Sequence, residues 1–267
     1  MNSLFRIGFH FSIRHSQGTK ICIVSRNRTV ILPDQIQIKP LMVWPSGQFC
    51  ALFCTVQKLS PQQVRAMLLS VADKIIAAEP ELSEADRRLG DGDHGIGMQR
   101  GMEAAKKELG ELPETATVGE LFGTMGMAMM SSMGGASGVV FGSLFRAGTK
   151  ALKDSPEAFT SEGLAALLQS AGETVMKRGG AKPGDKTMLD ALVPAAEKAA
   201  ECNSLPISES LDQVAATAEK GRDDSEALIA TMGRAKTLGE KSIGHPDAGA
   251  CSVAIILRTM ADCAKES

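Results

Sequence analysis

Between Glu84 and Arg100 the chain reads E-A-D-R-R-L-G-D-G-D-H-G-I-G-M-Q-R, gathering three carboxylates (Asp86, Asp91, Asp93), His94 and four glycines (Gly90, Gly92, Gly95, Gly97). Asp and Gly are poor inside helices and good in turns, so Gly90 to Gly95 is expected as a turn, with Asp86 on the end of the preceding helix. Such a turn folds the three carboxylates toward one point. Without a basic neighbour at the centre they repel one another, and a cation relieves that repulsion. All-oxygen ligation with no cysteine suits a hard ion, Mg2+ or Ca2+, rather than zinc. An EF-hand register starting at Asp91 places Gly95 at its fifth position and Met102 at its twelfth, where a glutamate belongs, so Mg2+ is preferred. Mg2+ held by a few carboxylates completes its shell with water and substrate phosphates, which makes this a candidate phosphate-handling turn. Taken alone, the turn is equally compatible with a solvated acidic loop.

Three further loops carry unusual residues. Met133-Gly134-Gly135-Ala136-Ser137-Gly138 is small enough for a backbone to approach a ligand, and it leads into a helix whose first amides attract anions; tight helix packing is its other reading. Gly179 to Met188 (G-G-A-K-P-G-D-K-T-M) is a turn with a basic pair before another helix. Gly233-Arg234-Ala235 and Ile243-Gly244-His245-Pro246-Asp247-Ala248-Gly249-Ala250 form the last, where Asp247 also reads as an ordinary N-cap.

The elements that must position these loops are helical. Ser60-Pro61 is an N-cap followed by proline at the first helical position, and Val64, Leu68, Val71 and Ile75 then share one face. Periodicity predicts helices at about 61–78, 81–89, 95–109, 118–132, 138–153, 160–178, 185–201, 208–238 and 249–264, with no strand signal beyond residue 60. Long Ala-, Leu- and Met-rich segments with short connections argue an all-α, antiparallel bundle. In such a bundle alternate connections lie at one end. Leaving out the short 81–89 piece, the four glycine-rich loops are alternate connections, and all four are expected at the same end.

The chain of 267 residues has a net charge of −2, which argues against a nucleic-acid partner bound by bulk charge. That balance is uneven. Residues 1–58 carry seven basic side chains against one acid, Asp34, together with five of the nine phenylalanines and the single tryptophan, Trp44. Thr19 to Leu32 is rich in Ile and Val and is expected to pair as a short strand or two. The segment is also compatible with an organelle transit peptide, or with a start read too far upstream; the favoured expectation is a disordered extension or start-site artefact over 1–58, with no assigned function. Six cysteines without zinc-type spacing point to reduced thiols, and no stretch of eighteen apolar residues is present, so no membrane partner is expected.

Read in order, G-D-G-D-H-G, G-G-A-S-G, P-G-D-K-T-M-L-D-A-L, G-R-A and G-x-x-S-I-G-H-P-D-x-G-A resemble the nucleotide-binding L subunit of dihydroxyacetone kinase, over residues 59–267. The resemblance implies a closed barrel of eight antiparallel up-down helices with the nucleotide at one rim. It implies Asp86, Asp91 and Asp93 as ligands of two Mg2+ ions against the phosphates of ADP or ATP. His94, Gly95, Ile96 and Gly97, with Gly135 and Ala136, would cradle phosphate, while Gly180, Met188, Arg234, Asp247, Ala248 and Gly249 would line the nucleoside side. Ala248 stands where the pattern commonly has proline, and Gly97 where it commonly has asparagine. The implied activity is half of a cytoplasmic phosphotransferase reaction: the ketose sits on a separate K subunit, and a phosphohistidine M subunit recharges bound ADP. The alternatives are a split ATP-dependent ketose kinase and a non-catalytic nucleotide-binding regulator; a homodimer is compatible with each. Lys182, Lys186 and Arg100 are candidate rim charges facing the K subunit.

Overall fold

A computed structural model describes residues 53–267 and, as backbone, the strands at 12–15, 21–25, 28–31 and 36–39; side chains are described from residue 55. The chain divides into two compact units, Met1–Gln57 and Lys58–Ser267. In the first, β1 (Ser12–His15), β2 (Ile21–Ser25) and β3 (Arg28–Ile31) form an antiparallel sheet in that order. β4 (Ile36–Lys39) pairs with β5 (Phe53–Val56), Ile36 facing Val56. The strand expectation for 19–32 thus corresponds to β2 and β3. The rest of the reading of 1–58 falls mostly outside the described residues.

The second unit is helical: α1 (Pro61–Ala77), α2 (Glu79–Leu89), α3 (His94–Glu111), α4 (Val118–Ser132), α5 (Gly135–Ala151), α6 (Ser161–Gly179), α7 (Leu189–Glu201), α8 (Ile207–Asp224) and α9 (Ala248–Glu266). Local chemistry sets several of the starts. Ser60 and Gln63 exchange side-chain and backbone bonds in a capping box, as do Thr117 and Glu120, so orphan amides at each N-terminus are satisfied reciprocally. Asp247 caps α9 by accepting the Ala250 N–H at 2.9 Å. At the other end of α6, Gly180 takes a left-handed φ of 67° and stops the helix.

Each helix from α3 to α8 packs on its successor, and α1 packs on both α9 and α3, with α2 lying against α3 and α9. Leu59, Phe122, Phe159, Met67, Met98 and Leu121 are among the fully buried side chains inside this arrangement. Phe122 and Phe159 meet tilted, with centroids 5.3 Å apart. Leu59 and Phe159 also exchange both backbone hydrogen bonds, at 2.9 and 2.8 Å, tying the entry to α1 to the α5–α6 connection. At Gly126, α4 and α5 come together backbone to backbone: a Cβ added there would lie 2.5 Å from both the Arg146 nitrogen and the Gly142 carbonyl. Among the described residues no helix is long and apolar enough to cross a membrane.

One predicted helix ends early. The 208–238 segment stops at Asp224 and continues as a 3-10 turn (Ser225–Ala227), an irregular stretch, and a second 3-10 segment (Ala235–Ser242) bent at Gly239, whose φ is 54°. The start expected at 185 moves to Leu189. Both differences have one cause: residues 182–190 and 225–231 spend their polar groups on each other rather than on helical bonds.

Candidate metal and phosphate site

The carboxylate turn begins where α2 ends. The Gly90 N–H returns to the Asp86 carbonyl at 2.5 Å, Gly92 adopts a φ of 77°, and Asp93 occupies the N-cap position of α3. The result is that one oxygen from each of Asp86, Asp91 and Asp93 lies within 4.8 Å of the other two. Asp86 Oδ2 also accepts the His94 N–H at 3.2 Å, which orients it. Asp93 is 70% exposed, so the cluster has an open side. A hard, all-oxygen donor set with room for water and phosphate ligands fits Mg2+.

The cluster does have a basic neighbour, a residue expected on the nucleoside side. The Arg234 guanidinium bonds the Asp91 carboxylate and stands 4.0 Å from Asp93. Arg234 lies 143 residues from Asp91, so no local sequence signal could reveal the pairing.

His94 is buried beneath the turn. Its Nε2 is 2.8 Å from Ser252 Oγ, and its ring lies 5.5 Å from that of Phe141, which joins the starts of α3, α5 and α9. Burial pushes its pKa below the ordinary value, against the opposing pull of Asp86, so the ring is held toward its neutral form.

These groups open onto a cavity of about 370 Å³, a size usual for small-molecule sites. Asp86, Asp91 and Asp93 stand on one side; Ala136 and Ser137, in the first turn of α5, stand on another. α5 has no side-chain cap, and Gly134 and Gly135 carry φ values of 74° and 61°, leaving the helix's first amides available to an anion. The α6–α7 loop supplies Thr187 and Met188, the irregular stretch after α8 supplies Met232, Gly233 and Arg234, and the start of α9 supplies Asp247, Ala248 and Gly249. All four glycine-rich loops therefore contribute to one cavity.

Some expected site residues stand outside the cavity wall. Gly95 is consumed by packing: a Cβ there would lie 2.3 Å from the Glu79 carbonyl and 2.4 Å from Ser83 Oγ, so its glycine serves the α2–α3 crossing. Ile96 faces solvent at 51% exposure, and Gly97, Gly135 and Gly180 do not line the wall. Lys186 is corrected too: it is buried rather than a rim charge, bordering the cavity while its Nζ donates to the Ser225 carbonyl at 2.6 Å. Lys182 is exposed and pairs with Asp185 at 2.8 Å, and Arg100 is exposed on α3. Val140, Phe141 and Val175 line the cavity without having been expected. Helical spacing held the clue, since Val140 and Phe141 follow Ala136 and Ser137 by four residues and Val175 precedes Gly179 by four.

Asp247 keeps some exposed surface as a residue, yet burial of its carboxyl pushes its pKa up to about 7, with Asp190 adding to the rise and the Ala250 and Gly249 amides and Lys186 opposing it. A larger groove of about 810 Å³ runs along α4 past Ala104, Met127, Ala128 and Arg146. It brings together no cluster of carboxylates and no free helix start, so the smaller cavity is where the chemistry converges.

Residues 88–262 match the DAK2 domain family. The ADP-binding subunit DhaL of the PEP-dependent dihydroxyacetone kinase of Escherichia coli is 35% identical over 212 residues, covering 78% of this chain and 99% of that protein. The L-erythrulose kinase of Pectobacterium atrosepticum is 39% identical over 205 residues, which are 75% of this chain but only 34% of the longer kinase. In the solved structures, the dihydroxyacetone kinase of C. freundii in complex with AMP-PNP and Mg2+ aligns with a TM-score of 0.58 and 24% identity, over 90% of this chain and 40% of that one. That last likeness speaks to the fold.

Proposed function

From the premise that the chain belongs to the DAK2 domain family, we propose that it is the ADP- or ATP-binding subunit of a ketose kinase, handing a phosphoryl group to substrate held on a separate K subunit. The observation that carries this is the meeting of the Asp86, Asp91 and Asp93 oxygens, within 4.8 Å of one another, at the mouth of a cavity that also receives the uncapped start of α5. The succession of helix packing, with α1 against α9, supports a closed barrel of eight helices with α2 set against its wall and the nucleotide at one rim.

In this reading Asp86, Asp91 and Asp93 hold two Mg2+ ions. Bound there, the metal would offset negative charge on the phosphate oxygens of nucleotide and transition state. The α5 amides near Ala136 and Ser137 receive a phosphate, and Arg234 exchanges its bond to Asp91 for one to the nucleotide. Met188, Val140 and Phe141 offer apolar surface to the nucleoside, and Asp247 to Gly249 close that side. His94 keeps the turn in register through Asp86 and Ser252.

The near-complete coverage of a stand-alone DhaL subunit favours a partner-dependent route, in which ADP stays bound and a phosphohistidine M subunit recharges it in the cytoplasm. The 39% identity to an L-erythrulose kinase supports a four-carbon ketose as an alternative acceptor, and with it a split ATP-dependent kinase. An assay with a cognate K subunit separates the donors: turnover on ATP alone means a classical kinase, and dependence on an M subunit means the recharging route. Asp91→Asn is expected to lower phosphoryl transfer at least a hundredfold while the helical circular dichroism is retained. Near-normal transfer by that variant, or ADP affinity unchanged by EDTA in calorimetry, would remove the carboxylates from the metal role.

A further inference from the structure

Lys186 is the only non-glycine residue of positive φ among the described residues, at 59°. Glycine would adopt that backbone without strain, so the lysine must contribute something its side chain alone provides. The side chain runs inward. Its Nζ donates to the carbonyls of Ser225 at 2.6 Å and Leu228 at 3.2 Å, with Glu226 at 3.4 Å, directly beyond the C-terminus of α8. An ammonium suits that place twice over, because carbonyls converge there and the helix end carries partial negative charge. Its neighbour Asp185 makes a second tie: the Thr231 N–H reaches the Asp185 carbonyl at 3.2 Å and Thr231 Oγ1 its carboxylate at 2.8 Å. Asp190 then braces the loop from beneath, accepting the Gly184 and Thr187 amides at 2.5 and 2.7 Å.

The next residues after these two ties are Met232, Gly233 and Arg234, which form a wall of the cavity. On the other side of the tie, Thr187 and Met188 also line the cavity, next to Lys186 itself. One short loop therefore holds both stretches of the lining together. We propose that Lys186 is a positioning residue, which fixes the Met232–Arg234 wall through the Ser225–Leu228 carbonyls and so governs how long a bound nucleotide is retained. The inference rests on the nucleotide reading of the cavity. Lys186 borders the cavity, but its ammonium is taken up by the Ser225, Glu226 and Leu228 carbonyls, so it acts through their backbone and its loss changes release more than capture.

The test uses the full chain, Mg2+ and a fluorescent ADP analogue chased with unlabelled ADP. Lys186→Met is expected to speed dissociation at least tenfold with association changed less than threefold, and to speed hydrogen exchange at 229–234 while α4 amides stay protected. Dissociation at the wild-type rate in a folded K186M overturns the proposal. If K186M does not fold, Thr231→Val decides: release at least threefold faster, restored by Thr231→Ser, supports it, and unchanged release overturns it. A wild-type chain that binds no analogue overturns the nucleotide reading, and the proposal with it, whereas binding with unaltered release in the variants overturns the proposal alone.

Discussion

Asp247 titrates in a window few carboxylates occupy. Its folded pKa of about 7 lies well above the ordinary carboxylate value, because burial and Asp190 disfavour its charge more than the Ala250 amide and Lys186 favour it. The folded chain therefore holds a proton between about pH 4 and pH 7 that the unfolded chain has released. Stability from this group is full below the unfolded pKa and is lost as pH rises through about 7. Asn at an N-cap keeps the oxygen that accepts the Ala250 N–H and has no proton to lose. Asp247→Asn should gain about 2 kcal/mol on the wild type between pH 5 and pH 7, measured by urea unfolding without nucleotide at both values. Parallel stability curves would show that the carboxyl is better solvated than its surroundings imply. At this scale the sequence disclosed Asp247 as an N-cap and the three aspartates as a cluster, since both are matters of local spacing. It did not disclose Arg234 beside Asp91 or Lys186 inside the fold, because each contact is made between loops distant in the chain.

The helices were legible where their signals were local. The Ser60-Pro61 start appears in the structure as a capping box, and α4 and α6 lie within a residue or so of their periodic limits. The 208–238 reading failed because Leu228, Ile229 and Ala230 continue an apolar pattern while the backbone beneath them leaves the helix for Lys186 and Asp185. Periodicity registers side chains, not where a carbonyl finds its partner. The α4–α5 crossing is a related case: glycines that suggested a ligand loop at 134–138 continue into Gly126 and Gly142, where two helix backbones meet. Gly126→Ala would set a methyl 2.5 Å from backbone atoms that cannot rotate away, so it should destabilise the fold by about 1–3 kcal/mol and loosen nucleotide binding by shifting the start of α5. Gly110→Ala meets nothing within 4 Å and should stabilise the chain by up to about 1 kcal/mol. Thermal melts of the two variants decide the point. A neutral Gly126→Ala would mean that α4 and α5 slide apart at little cost.

At the scale of the whole molecule, the Escherichia coli relative is matched over 99% of its length by only 78% of this chain, and the helical unit begins at Lys58. We propose on that ground that residues 1–58 add nothing to the nucleotide unit. A chain starting at Val56, which keeps the Leu59–Phe159 pairing, should retain its melting temperature and ADP affinity; a drop of more than ~5 °C, over a kcal/mol for this size, would count against it.

The same unit leaves five large apolar side chains exposed, and four of them stand within four residues in the chain of one that lines the cavity: Ile96 (51%), Val139 (36%), Ile229 (43%) and Ile243 (46%). Met127 alone is set elsewhere, in the groove along α4. Under the proposed function, transfer of a phosphoryl group requires the acceptor to come within about 3–3.5 Å of phosphorus, so the proposed K subunit would cover the cavity mouth and keep water from it. Exposed isoleucines so near the lining residues in the chain are suited to such a contact, because apolar surface buried in an interface core contributes where a charge there would be stranded. Ile96→Glu and Ile243→Glu should therefore each weaken association with the K subunit about tenfold or more, roughly 1.4 kcal/mol, while leaving ADP affinity and melting temperature alone. Met127→Glu, equally exposed, should change none of these. Pull-down titration of the three variants reads the difference. If Met127→Glu is the substitution that breaks the complex, the partner lies along the α4 groove, and the acceptor must reach the carboxylates by a movement of the α4–α5 pair rather than by direct docking on the rim.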